Sequence, residues 1–532
     1  MQHNPFASVT LTATNHQDLA TLTEFAEFWK IPHDLSPDSR TKQILVSSGI
    51  PQSESNSPTN PSIIIPSSIQ DCRELAHIHN LHVSEKEAKL RLAIAPGTFT
   101  AIRATVWEFQ GPNLVQELTS DGIAILSRPQ ATETHLLAMN IISEYSRLIH
   151  EGLEDRPSTK FRLVAALPIA YNVIPQSLRN WSLRRAHASA QTGEEWTGPV
   201  ECLRTIFLAS ILVSTNAQVP RISFWRNEKK YALTVTHDVE SKEGLERARD
   251  LLDVERKLAI RSTWNLPSDR FPITNESARR LAESGEIGAH DTLHDGRLIL
   301  GSSNEIIERA VQCREKLEAT GRTRVLGFRA PLLQHSSKLL AALGKAGYEF
   351  DSSVPSWETL SPTSFKPHGI GTVFPLEIGE LIEIPVSLPQ DHQLLKILGL
   401  TVEETVGKLL ELSKWIRTIG GICVILVHPD YEFGSLEHQH EYEQLLVEFQ
   451  KDSECDIMTL KEAADWWRKR SDAFVDIFDG IPLIRSKRNH AVLEDLDLEI
   501  VLGYGSEGFE TRRLDRDSTT YSHSRTKESV GG

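Results

Sequence analysis

The chain has 532 residues, with 57 Lys and Arg against 72 Asp and Glu, a formal net charge of -15 at pH 7. A chain of this length predicts two or three domains, and 39% hydrophobic with 24% charged residues is the balance of a folded globular protein. The acidic surplus argues against nucleic acid as the main partner, and no apolar run is long enough for a membrane span.

The start, Met1-Gln2-His3-Asn4-Pro5, lacks the basic flank and apolar stretch of a secretory signal. Cys72, Cys202, Cys313, Cys423 and Cys455 are scattered and never in a paired spacing. They read as small buried side chains, and a cytoplasmic location is expected. Residues 1–220 carry no chemistry motif and are expected to form an α+β region of unknown role. Within it, Ser47 to Pro58 and Ala186 to Gly198 read as linkers, and Thr132 to Glu151 as an amphipathic helix. His77, His79 and His82 lack an acidic or cysteine partner and read as polar surface.

From 221 to 470, strand-like and helix-like segments alternate. Tyr231 to Thr236 predicts a strand, Lys242 to about Leu258 a helix, Arg261 to Leu266 a strand, and Thr274 to Glu283 a helix stopped by Gly285. Ile287 to His290 is a short strand. Ser302 and Glu305 have capping-box spacing ahead of the apolar face Ile306, Ala310, Cys313 and Leu317. Val325 to Phe328, Tyr348 to Phe350 and Leu381 to Val386 follow as strands. Thr401 to Ile419 is a helix with the same capping spacing, stopped by Gly420 and Gly421. The strand ending at His428, a helix through Glu441 to Phe449, a strand at Asp456 to Met458 and a helix Lys461 to Arg470 complete the series. Seven or eight parallel strands of this kind make a barrel or a doubly wound sheet. The barrel is favoured because the candidate residues come from several strand ends. Residues 471–532 are expected to be an extension, disordered from about 510.

Chemistry-bearing residues stand at those strand ends. Thr236-His237-Asp238-Val239-Glu240 closes the first strand with two acids. His290 and His294, four residues apart, could reach one cation from a single helical turn. Gly327-Phe328-Arg329-Ala330-Pro331 and Leu426-Val427-His428 close two more strands. Taken singly, each has an ordinary explanation: a solvated turn, a surface ion pair, a capped strand. Their order on successive strands favours a metal site.

With Asp351 and Trp357, those segments make five motifs in the order found in polysaccharide deacetylases. The stretch from about Tyr231 to Arg470 therefore resembles the NodB-homology, carbohydrate esterase family 4 group. The resemblance implies a distorted (β/α)7-type, NodB-like barrel beside an additional N-terminal α+β domain. It also implies removal of an N-acyl group, acetyl foremost, from a sugar or glycan precursor by a Zn²⁺ or other divalent-metal hydrolase. Asp238 would be the base, His428 the acid, and His290 and His294 metal ligands. Arg329 would hold the base, and the backbone N–H of Leu332, with Asp351 and Trp357, would meet the substrate.

The family's adjacent acid pair is replaced here by Asp238-Val239-Glu240. Residues i and i+2 of an extended segment point to one side, so both acids could face the metal. Glu240 is assigned as the third ligand, with Asp238 the alternative; His237 reads as a packed neighbour. Hydrolysis of other non-peptide C–N bonds, in small amides or imides, and an inactive glycan-binding module are the competing functions. An N/O site of this type could equally load Co²⁺, Mn²⁺ or Ni²⁺.

Overall fold

The structure is a computed structural model that describes residues 6–33, 42–50, 61–166, 181, 183–185 and 197–514. The chain divides into two compact units. One comprises 1–148, 197–228 and 469–532, and the other 149–196 and 229–468. Both are therefore assembled from separated segments, whereas the sequence suggested three consecutive ones.

The second unit holds every candidate residue. Its strands are β1 (Tyr231–Asp238), β2 (Thr263–Leu266), β3 (Glu286–Ala289), β4 (Gly327–Phe328), β5 (Phe350–Asp351), β6 (Leu376–Ile378), β7 (Leu381–Glu383), β8 (Ile422–Val427) and β9 (Cys455–Ile457). They form one sheet in the order β6-β7-β5-β4-β3-β2-β1-β8, with β9 also paired to β1. Seven of them, from β7 round to β8, run parallel. β1 and β8 are buried at every position, as strands covered on both faces must be, which explains their unbroken apolar runs.

A serine bridges the seam between β7 and β8. Ser387 Oγ donates to Ile422 O at 2.6 Å and accepts from Val424 N at 2.9 Å, replacing a strand-to-strand ladder with one hydroxyl. The fold is thus the distorted (β/α)7-type barrel expected from the sequence.

The intervening helices are α1 (Lys242–Lys257), α2 (Asn275–Ser284), α3 (Ser303–Gly321), α4 (Ser337–Lys345), α5 (Val402–Ile419), α6 (Gln439–Gln450) and α7 (Leu460–Ser471). Both expected capping boxes form, Ser302 with Glu305 and Thr401 with Glu404. Each satisfies two N–H groups that the first helical turn leaves without partners. Gly420, at φ 81°, ends α5 in the left-handed conformation that a side chain disfavours.

In the first unit, a six-stranded sheet runs in the order Ala7–Ala13, Lys42–Ser48, Ser62–Ile65, Thr134–Leu137, Ile123–Pro129 and Leu114–Ser120. The helix Pro199–Thr215 is buried along almost its whole length, beside a ribbon formed by His82–Ala95 and Thr98–Gln110. The expected helix from Thr132 begins late: Thr134–Leu137 is a strand paired with Ser62–Ile65, and the helix occupies Ile141–Leu153. Sheet pairing overrides the helical pattern there. His77 lies in the helix Ile69–Ile78 and His82 opens the ribbon, both exposed.

Beyond residue 470 lie the hairpin Ala473–Phe478 with Ile481–Ser486, and the pair Leu498–Gly505 with Gly508–Arg513. Strand structure therefore extends to Arg513, past the point where disorder was expected, and the rest of that tail lies outside the described residues. The expected linkers fall largely outside them as well, at 51–60 and 186–196. All five cysteines are buried and unpaired. Among the described residues, no helix is long and apolar enough to cross a membrane.

Candidate metal centre

β1 ends at Asp238, and Glu240 follows two residues later, its backbone N–H held by Asp430 Oδ2 at 2.9 Å. β3 ends at Ala289 and passes directly into the loop carrying the two histidines. That loop is not the helical turn expected from the four-residue spacing. Asp291 (φ 67°) and His294 (φ 51°) are left-handed, and the loop folds back to bring the two imidazoles to 4.6 Å between centroids. Arg309 of α3 supports this shape: its Nε and Nη2 each lie 2.5 Å from an Asp291 carboxylate oxygen, and Nη2 reaches Asp295 Oδ1 at 2.7 Å. Asp291 is thus a structural anchor.

Glu240, His290 and His294 present ligand atoms that all lie within 4.8 Å of one another, the only such group among the described residues. His290 is 1% exposed and His294 is 3% exposed. The Nε2 atoms of both are buried without a hydrogen-bond partner. His294 Nε2 is 3.2 Å from Glu240 Oε1, close enough for an ion pair but outside hydrogen-bond geometry. Buried polar nitrogens are rarely left unsatisfied, so this donor set fits a divalent cation.

The His290 ring is prepared for that role. Its Nδ1 lies 2.8 Å from Arg329 O, and a carbonyl can only accept, so Nδ1 carries the proton and Nε2 keeps its lone pair. Burial lowers its pKa to about 4, leaving the imidazole neutral near pH 7. His294 differs: Arg270 Nη1 stands 2.5 Å from its Nδ1 and 3.1 Å from its carbonyl oxygen. A guanidinium only donates, so this contact favours the tautomer with the proton on Nε2.

Asp238 is 2% exposed, and its Oδ1 accepts from Asn265 Nδ2 at 2.8 Å and from Arg329 Nη1 at 3.4 Å. Burial alone would raise its pKa, but Arg329, His290 and His428 together hold it below the usual carboxylate range. Because His290 is neutral above about pH 4, Arg329 and His428 supply that effect near pH 7. Oδ2 remains, 3.9 Å from His290 Nε2. Glu240 lies well below its ordinary value despite burial, chiefly through His294 and then His428.

His428 Nε2 is 3.9 Å from Glu240 Oε1, while its Nδ1 is 2.6 Å from Asp391 Oδ1. Burial would lower its pKa, but the Asp391 carboxylate more than offsets this and raises it to about 10. The ring is therefore a cation at neutral pH, with its remaining N–H at Nε2.

Arg329, fully buried, spreads its guanidinium over Ser352 O, Ser352 Oγ, Thr236 Oγ1 and Asp238 Oδ1. Asp351 is also fully buried, its Oδ1 and Oδ2 taken by Ser353 and its neighbour the carboxyl of Glu383. It stands behind Arg329 rather than at an open surface. Trp357 is half-buried on the segment between β5 and β6. Leu332 (φ 59°) lies in a tight turn after Pro331, and its N–H bonds to no described residue.

Several supporting residues carried no signal in the sequence. Asp391 lies 37 positions before His428 and bonds to both its ring and its backbone N–H. Asp430 accepts from Glu240 N at 2.9 Å. Asn265 was visible only as the end of a strand. Gly288 is required beside it, since a Cβ there would lie 2.1 Å from Asn265 Oδ1.

No family model and no curated protein matches the chain. Among solved structures it is similar to a putative polysaccharide deacetylase from Mycobacterium smegmatis, at 19% identity over 46% of this chain and 93% of that one, with a TM-score of 0.41. It is similar also to the peptidoglycan deacetylase PdaC from Bacillus subtilis, at 13% identity over 46% of this chain and 94% of that one (TM-score 0.32). A third similar structure is Puue allantoinase, at 12% identity over 47% of this chain and 93% of that one (TM-score 0.37).

Proposed function

We propose that the protein is a metal-dependent amide hydrolase that removes an acyl group, acetyl foremost, from an N-acylated sugar or glycan precursor. The observation that carries this reading is the pair of buried, unpartnered Nε2 atoms of His290 and His294 facing the Glu240 carboxylate. Those three residues would hold Zn²⁺ or a similar divalent ion. When bound, such an ion polarises the acyl carbonyl and acidifies water.

The protein's own groups do the rest. Asp238, kept ionised and oriented through Oδ1, takes the water proton on Oδ2. As the hydroxyl adds to the acyl carbon, the unengaged Leu332 N–H stabilises the charge growing on the carbonyl oxygen. The C–N bond then breaks as His428 passes its Nε2 proton to the departing amine. Arg329 fixes Asp238, Asp351 braces the strand behind Arg329, and Trp357 offers an apolar wall to a sugar ring.

One observation favours a second reading. Arg270 seated on His294 Nδ1 opposes ligation through Nε2, as would suit a binding module that has lost its metal.

Metal content of the purified protein, beside the His290→Ala/His294→Ala double variant, decides between them. Near-stoichiometric metal that the variant loses, with acetate released from N-acetylglucosamine oligomers, supports the hydrolase. Protein that is metal-free and refuses added zinc sinks it. Metal-loaded protein that cleaves only small amides or imides moves the substrate away from glycans.

A further inference from the structure

The turn Ala330–His335 is unusual in two respects. Leu332 (φ 59°) and Leu333 (φ 52°) are consecutive left-handed residues, neither of them glycine. Such a conformation is costly and persists only where neighbours enforce it. Three other N–H groups of the turn are engaged: Ala330 N with Ser353 Oγ at 2.8 Å, Leu333 N with Ala330 O at 3.1 Å, and Gln334 N with Pro331 O at 3.2 Å. Pro331 has no N–H, so between Ala330 and Gln334 the Leu332 N–H is the one donor without a partner among the described residues.

Two side chains enforce the turn. Gln334, fully buried, donates from Nε2 to Gly296 O at 2.7 Å and accepts from Ile299 N at 3.3 Å, which fastens the turn to the loop following His294. His335, also fully buried, has Nδ1 2.7 Å from Leu333 O. The carbonyl must accept, so Nδ1 is protonated and the neutral ring offers a lone pair at Nε2. That atom meets His368 Nε2 at 2.8 Å. His368 is therefore the donor, and its N–H is shared with Gly152 O at 3.1 Å. Burial, reinforced by His368, lowers the His335 pKa to about 4, consistent with the neutral ring. His368 and Glu358 exchange both backbone hydrogen bonds, at 2.7 and 3.0 Å, directly beside Trp357. One chain of contacts thus runs from the Trp357 segment through His368 and His335 to the Leu333 carbonyl and the free Leu332 N–H.

We propose that His335 and His368 are positioning residues: their ring-to-ring hydrogen bond locks the Leu332–Leu333 turn, and hence the Leu332 N–H, in register with the metal centre and the Trp357 wall. The inference rests on the hydrolase reading for its catalytic consequence and on the turn geometry for its mechanical one. His368→Ala removes the bond. His368→Gln restores an N–H donor toward His335 Nε2. In zinc-loaded protein acting on N-acetylglucosamine oligomers, His368→Ala is expected to lower kcat about tenfold with KM and bound zinc unchanged, and His368→Gln to recover most of it.

In the same proteins without substrate, deuterium uptake over residues 329–336 rises in His368→Ala and returns toward wild type in His368→Gln, while 286–294 is unaffected. Equal kcat and equal uptake in His368→Ala overturn the proposal. So does uptake rising across the whole barrel, because a general loss of stability explains that. If the wild type cleaves no N-acyl substrate, the hydrolase reading fails by itself, and the uptake comparison alone decides whether the two rings brace the turn.

Discussion

Asp391 grips His428 twice: Oδ1 lies 2.6 Å from the ring Nδ1 and Oδ2 accepts the backbone N–H at 2.8 Å. The ring is thereby fixed in orientation and kept protonated, with its pKa raised from the ordinary 6.5 to about 10. A raised histidine pKa contributes stability that is complete below about pH 6.5 and disappears as pH rises through 10. The melting temperature of the wild type is therefore expected to fall across that alkaline window. In Asp391→Asn the fall flattens, and the alkaline limb of the activity profile moves to lower pH. A profile that stays in place shows that His428 is not the proton donor. Loss of the proposed acid, in His428→Ala, is expected to reduce kcat by about 10²- to 10⁴-fold.

Gly288 shows how indirectly the proposed base, Asp238, is positioned. An added methyl at this site meets Asn265 Oδ1, the side chain that orients Asp238. Gly288→Ala is expected to destabilise the fold by about 1–3 kcal/mol, the usual cost of overpacking. Turnover should fall more than substrate affinity does. Denaturant melts and steady-state kinetics check the two effects separately, and an unperturbed kcat removes Asn265 from the supporting set.

On the proposed reading, Arg270 opposes metal loading in two ways, by its charge beside Glu240 and by its contact with His294 Nδ1. Removing it in Arg270→Ala should tighten zinc binding about tenfold, or about 1.4 kcal/mol. Competition titration with a zinc chelator measures this directly. Weaker binding would mean that the guanidinium orients His294 for the ion instead.

Glu286 in β3 is a carboxyl whose pKa is raised toward neutrality. Burial raises its pKa from 4.5 to about 7, only partly offset by hydrogen bonds from Thr263 Oγ1 and the Lys461 backbone. The folded protein then binds more protons than the unfolded chain between those values, so stability falls as pH rises from about 4.5 through 7. Glu286→Gln should abolish that slope without touching the metal site. Urea melts at pH 5 and pH 8 test it, and an unchanged slope assigns the pH dependence elsewhere.

Local rules carried the barrel's elements well. Capping boxes at Ser302 and Thr401, the stop at Gly420 and the buried runs of β1 and β8 each follow from a few neighbouring residues. The rules failed where distant pairing won, as at Thr134–Leu137, drawn into a sheet by Ser62–Ile65. Of the candidate centre, Glu240, His290 and His294 were all legible as strand-end residues. The path that joins them was not, since a loop with left-handed Asp291 and His294 replaces the expected helical turn.

The sequence by itself determined which residue types could do chemistry here and the order in which strands would deliver them. Periodicity, capping and motif spacing are local properties, written within a few residues of each other. Only the tertiary structure decided which partners set the protons: Asp391 on His428, Arg329 and Asn265 on Asp238, Arg270 on His294, and His368 on His335. Those pairs lie between 24 and 91 positions apart. Their contacts exist only in the folded unit, because burial is what gives each charge and each unshared lone pair its weight.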